Sequence, residues 1–151
     1  KNLAEIAMSY GYVYVAQIAL GANPAHALKA IAEAEAYDGP SLIICYAPCE
    51  LHGIKGGMNH CQDTMKAAVK SGYWNLFTYN PALKAEGKNP FTLTSKPADG
   101  SYQDFLKNET RYTSLTRVFP ERAEKLFEAS EKAAMERYNR LVKLAEVYNQ
   151  Q

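Results

Sequence analysis

Two cysteines, two histidines and three glycines fall between Pro48 and Cys61 (PCELHGIKGGMNHC). Thiolate and imidazole are the donors that soft and borderline metals take, so this stretch is read first for ligation. A zinc site from Cys49, His52, His60 and Cys61 begins well, with a Cys-x2-His pair. It ends badly, because adjacent His60 and Cys61 on a helix diverge by about 100°. A second reading gives one thiolate, Cys49, to a shared iron–sulfur cluster, whose four thiolates can come from distant parts of a chain. A third is structural: Gly53, Gly56 and Gly57 turn the chain into the next helix, and Cys49 is a small buried apolar group. Spacing by itself favours the third.

Other chemistries find less support. Gly56-Gly57 precedes a helix, whose N-terminus would suit an anion. No dinucleotide or P-loop glycine pattern accompanies it, and Lys55 reads as a solvated side chain. Ser41 and Ser71 lack the setting of a serine nucleophile. The acidic residues of the last helix alternate with lysine and arginine, as on a solvated face.

The elements around the motif form a pattern. Tyr12 to Ala16 (YVYVA) reads as a strand. Asn23 and Pro24 then cap and open a helix from Ala25 to Tyr37, with Ala27, Leu28, Ile31, Ala34 and Glu35 at helical spacing. Ser41 to Ala47 (SLIICYA) is a nearly continuous apolar strand, so Leu42 and Ile44 are expected to be almost fully buried. The fold class is therefore α/β: a partial parallel sheet of βαβ type with a helical C-terminal extension. Parallel strands share one carboxyl edge, which places Leu20 to Asn23 beside Pro48 to Gly57, where ligands gather in such sheets.

Asn2 to Ser9 reads as a short helix with Leu3, Ile6 and Ala7 on one face. Asn59 to Ser71 is another, with Met65, Ala68 and Val69 inward and Gly72 after its end. Tyr73 to Tyr79 and Phe91 to Thr94 read as strands. Lys96 to Thr113 reads as irregular, with one helical turn near Asp104. Pro120 opens a helix to about Tyr148, with Leu126, Ser130, Ala133, Arg137, Leu141, Leu144 and Tyr148 on one face.

The chain has 151 residues and a net charge of +1, which gives no basic surface for nucleic acid. No stretch approaches the roughly 20 apolar residues of a membrane helix. Three cysteines are few and odd in number, which favours a reducing, cytoplasmic compartment. The start at Lys1, without Met or a secretory signal, suits a piece of a longer polypeptide.

Several strings occur together: Tyr14-Val15-Ala16, Gly21-Ala22-Asn23, Gly39-Pro40-Ser41, Tyr46-Ala47-Pro48-Cys49 and His52-Gly53. Further on stand Ser71-Gly72-Tyr73-Trp74, Tyr79-Asn80-Pro81, Lys88-Asn89-Pro90-Phe91, Glu109, Arg111-Tyr112 and Arg137-Tyr138. In combination they resemble the C-terminal segment of pyruvate:ferredoxin (flavodoxin) oxidoreductases, over essentially the whole chain. The resemblance implies that residues 1–79 end a thiamine-diphosphate-binding module and that 80–151 form a C-terminal extension.

It also implies an enzyme that decarboxylates pyruvate oxidatively to acetyl-coenzyme A. Its cofactors are thiamine diphosphate, Mg2+ and 4Fe-4S clusters, and its acceptor is ferredoxin or flavodoxin. Partners are the remainder of the same polypeptide and, in the full enzyme, a second copy in a homodimer. Cys49 matches the family's Tyr-Ala-Pro-Cys cluster ligand, and backbone N–H groups near His52 and Gly53 would tune that cluster without ligating it. Cys45 and Cys61 match no ligand position. The Gly-Asp-Gly motif for Mg2+ and diphosphate is absent, since Asp38-Gly39-Pro40 sits in a helix-to-strand turn. No catalytic residue and no bound cofactor are expected in the isolated fragment, which should be inactive. The alternative is a non-catalytic α/β module used for protein association.

Overall fold

Tyr14, Val15 and Ala16 are wholly withdrawn from solvent, and they mark the centre of the fold. The structure, a computed structural model, describes residues 2–149. Strand β1 (Tyr14–Ile18) is followed by helix α2 (Pro24–Ala36) and strand β2 (Ser41–Cys45), with helix α1 (Leu3–Ser9) before it. β1 and β2 pair in parallel, Tyr14 opposite Ser41 and Ile18 opposite Cys45. Helix α2 packs on both strands, so the expected strand–helix–strand unit is present. Its start follows from Asn23, whose Oδ1 accepts the His26 amide at 3.0 Å ahead of Pro24.

Helix α3 (Cys61–Lys70), strand β3 (Phe77–Tyr79), the short helix α4 (Ala82–Ala85) and strand β4 (Phe91–Leu93) come next. β3 runs antiparallel to β1, and β4 antiparallel to β3. The sheet is thus mixed, in the order β2-β1-β3-β4. Only three residues of the expected Tyr73–Tyr79 strand are extended. The stretch expected to be irregular, but for one helical turn near Asp104, holds helix α5 (Tyr102–Asn108) around that turn and a further helix, α6 (Thr110–Val118). Helix α7 (Pro120–Asn149) closes the chain.

Alternation along β1 divides the core. Val15 faces one side with Phe77, Tyr79 and Phe91, under α1 and Leu141 of α7. Tyr14, Ala16 and Ile18 face the other, under Ala27 and Ala30 of α2. A third cluster joins Ala68 of α3 to Tyr102, Phe105 and Leu106 of α5 and to Ala123, Phe127 and Ala134 of α7.

Several expected faces are rotated. Leu42 and Ile44 are only half-buried, because β2 is an edge strand with β1 as its one neighbour. On α2 the small residues Ala27 and Ala30 meet the sheet, leaving Leu28 and Ile31 exposed. On α1, Ala4, Ala7 and Met8 are buried while Leu3 and Ile6 are exposed. On α7 the N-terminal half turns Phe127 and Ala134 inward, not Leu126 and Ala133. Alanines let helix and sheet approach closely, so the larger neighbouring residues are displaced outward. Among the described residues no helix is long and apolar enough to cross a membrane.

Candidate functional site

The parallel pairing of β1 and β2 sends both following loops off one edge of the sheet. The Ile18 carbonyl ends β1 and accepts the Tyr46 amide at 3.0 Å and the Trp74 indole N–H at 2.9 Å. After β1 the chain turns at once, with the Ala22 and Asn23 amides on the Ala19 carbonyl at 3.0 and 3.1 Å. After β2 it leaves through Tyr46, Ala47 and Pro48 to Cys49.

At Cys49 the loop reverses. The Gly53 amide donates to the Cys49 carbonyl at 2.9 Å, and Gly53 adopts φ +72°, a conformation that glycine takes without strain. This reversal brings His52 back onto Cys49, with Sγ and Nδ1 3.0 Å apart. The thiol is half-buried. The His52 side chain beside it holds the Cys49 thiol below its ordinary range, and the His52 backbone N–H adds to the effect. Leu51 contributes a weaker backbone hydrogen bond. The outcome is a soft sulfur donor biased toward thiolate.

The returning limb is stitched to the junction of α5 and α6. Ile54, itself buried, forms an isolated antiparallel bridge with Glu109. The Lys55 amide donates to the Asn108 carbonyl at 3.0 Å, and the Thr110 amide to the Gly53 carbonyl at 3.4 Å. A single 3-10 turn, Met58–His60, then leads into α3.

The outgoing limb is held by an aromatic. Tyr46 packs against Trp74 at 5.7 Å, Tyr73 at 5.9 Å and Phe105 at 6.5 Å between ring centroids. Its hydroxyl donates to Oε1 of Glu109 at 3.3 Å. Glu109 is only 2% exposed. Burial raises its carboxyl above the usual range, against the lowering effect of the Tyr46 hydrogen bond. Burial likewise raises the Tyr46 phenol, and the neighbouring Glu109 charge raises it further.

Of the four residues that could have made a zinc site, the structure joins Cys49 and His52. His60 lies instead 3.9 Å from Asp63 through Nδ1, and Cys61 opens α3. Among the described residues no three His, Cys, Asp or Glu side chains gather into a metal-holding group. The cysteines are all free, with Cys45 exposed at the end of β2. Cys49 is not the buried apolar group of the structural reading. Its thiol has a polar partner and access to solvent.

Tyr46 and Glu109 both belong to the strings that carry the resemblance, but only the structure brings them together. They lie 63 positions apart, and Glu109 sits in a stretch that looked irregular. The one available signal was their place among those strings, which gave neither residue a role.

No family model matches the chain. Individual proteins do. It is 56% identical over 144 residues to the pyruvate:ferredoxin oxidoreductase of Moorella thermoacetica, covering 93% of this chain and 12% of that protein. It is 53% identical over 145 residues to the pyruvate-flavodoxin oxidoreductase of Enterobacter agglomerans, covering 96% of this chain and again 12% of the relative. With the mitochondrial NADP+ pyruvate dehydrogenase of Euglena gracilis it shares 45% identity over 146 residues, 8% of that protein. The chain therefore spans about an eighth or less of the length of the curated relatives it matches.

Proposed function

We propose that this chain, homologous over nearly its whole length to one segment of the pyruvate:ferredoxin and pyruvate-flavodoxin oxidoreductases, is part of an enzyme that oxidatively decarboxylates pyruvate. The product is acetyl-coenzyme A and the electrons pass to ferredoxin or flavodoxin. Residues 1–79 end its thiamine-diphosphate module, and residues 80–151 form a C-terminal extension. Cys49 contributes one thiolate to a 4Fe-4S cluster, and the rest of the polypeptide contributes the others.

The observation that carries the site is the Cys49 thiol itself. It sits on a loop at the carboxyl edge of β1 and β2, half-exposed, with His52 Nδ1 at 3.0 Å favouring its thiolate. A cubane iron takes a deprotonated sulfur, so a thiol already biased toward thiolate fits as one ligand. When bound, thiamine diphosphate with Mg2+ supplies the decarboxylating chemistry and the cluster a one-electron path. From this chain, Cys49 would supply one thiolate ligand of that cluster. His52 stabilises the sulfur's charge, while the Gly53 amide is committed to the Cys49 carbonyl and keeps the turn closed.

The open side of the sheet supports membership in a larger polypeptide. Among the described residues the outer edge of β2 has no partner strand, and apolar residues are exposed over both faces of the sheet, Leu3 and Ile6 of α1 on one and Leu28 and Ile31 of α2 on the other. The same exposure would serve the alternative, a non-catalytic association module. The sequence identity to catalytic oxidoreductases favours the enzyme. Isolated, the chain is inactive, with one cluster thiolate of four.

The test is Cys49→Ala or Cys49→Ser in the full-length enzyme. Low-temperature EPR of the reduced variant should lose the signals of one cluster while thiamine diphosphate still binds, and acceptor reduction should slow sharply. A variant that keeps all its cluster signals and its full acceptor reduction overturns the assignment.

A further inference from the structure

Among the described residues, Glu109 is placed unlike any other acidic side chain. It is buried, and it touches both limbs of the loop that presents Cys49. Its carboxylate accepts the Tyr46 hydroxyl at 3.3 Å, three residues before Cys49. Its backbone bridges Ile54, five residues after Cys49, and is flanked by the Lys55–Asn108 and Gly53–Thr110 hydrogen bonds. A buried carboxylate is costly to keep unless something specific holds it. Here the hydrogen bond it receives comes from the loop it would steady.

We propose that Glu109 is a positioning residue for Cys49: from the α5–α6 junction it fixes the outgoing limb through Tyr46 and the returning limb through Ile54. The direction in which the sulfur is presented then depends on residues from the 80–151 half of the chain. The inference rests on Cys49 being a cluster ligand, as proposed above. Metal sites are sensitive to such outer partners, which orient the ligand without touching the metal.

The experiment uses the full-length enzyme with Glu109→Ala, Glu109→Gln and Tyr46→Phe, and with Cys49→Ala alongside. Two quantities are read: the EPR spectrum of the reduced holoenzyme, and the rate at which iodoacetamide caps Cys49 in cluster-free enzyme, followed by peptide mass. Glu109→Ala should shift and broaden the signals of one cluster. It should also speed capping by about fivefold, the factor that one net hydrogen bond carries. Glu109→Gln keeps an oxygen that accepts from Tyr46 and should restore both readings. Tyr46→Phe removes only the hydroxyl, so it reads the same contact if Glu109→Ala does not fold, and it should behave like Glu109→Ala. Wild-type spectra and capping rates in the folded Glu109→Ala and Tyr46→Phe enzymes would overturn the proposal, even if melting temperatures fell. A Glu109→Gln enzyme as disturbed as Glu109→Ala would overturn it too. If Cys49→Ala keeps every cluster signal, the ligand assignment fails by itself, and the capping rates then decide whether Glu109 positions the thiol.

Discussion

The amide nitrogen of Gly21 lies 3.2 Å from the sulfur of Met65, and a Cβ on Gly21 would stand 2.8 Å from Cα of Gln62. The turn after β1 and helix α3 therefore touch backbone to backbone. Gly21 has no left-handed φ, so the requirement is one of space alone. Gly21→Ala should push α3 outward at a cost of about 1–3 kcal/mol, the range for overpacking a close contact. Urea denaturation of the 151-residue chain checks it. An unchanged midpoint would mean that α3 shifts freely.

The Cys49–His52 contact predicts a pH signature. Hydrogen bonding from His52 favours the thiolate, so Cys49 should deprotonate below the ordinary thiol value of about 8.5. The capping rate of Cys49 should thus rise with pH through a midpoint lower than that of a free thiol. His52→Ala should move that midpoint back up toward the ordinary value. A midpoint equal in both proteins would dissociate His52 from the thiol's acidity.

Two leucines should differ in their cost of removal. Leu106 is fully buried in the cluster joining α3, α5 and α7, and Leu106→Ala should cost about 2–5 kcal/mol. Leu42 is half-buried on the edge strand β2, and Leu42→Ala should cost less than Leu106→Ala. Thermal or urea unfolding of the two variants ranks them. The reverse order would mean that the edge strand is covered in solution.

The strand–helix–strand unit was legible because its signals are local. Tyr12 to Val15 alternate aromatic and β-branched residues, Asn23-Pro24 caps and opens α2, and Ser41 to Ala47 is a nearly continuous apolar run. Which side of a helix faces the sheet was less legible. Leu28 and Ile31 outrank Ala27 and Ala30 in hydrophobicity, yet close packing selected the alanines. Helix α6 was missed, and α5 was read as a single turn near Asp104, because Tyr102 to Val118 interleaves polar and apolar residues and long-range contacts decide their conformation. Gln103 Nε2, for example, donates to Glu131 Oε2 of α7 at 2.6 Å. Within the site, Cys49 and His52 could be paired by spacing, because only two residues separate them. Glu109 could not be joined to Tyr46, since a contact across 63 positions leaves no trace in composition or period.

Helix α7 belongs to two cores at once. Ala123, Phe127 and Ala134 pack beside α5, and Leu141 packs over the sheet beside Val15 and Phe77. From Ala123 to Leu141 the helix runs about 27 Å at its usual rise. It therefore behaves as a splint across the molecule, and a break near its middle would leave two half-cores to melt separately instead of in one cooperative step. The same rigidity transmits leverage. The Tyr102 and Ser130 hydroxyls, 2.8 Å apart, lash α5 to the splint, and α5 ends at the junction that carries Glu109. A tilt of α7 imposed at its far end would reach the Cys49 loop as a displacement of its anchor.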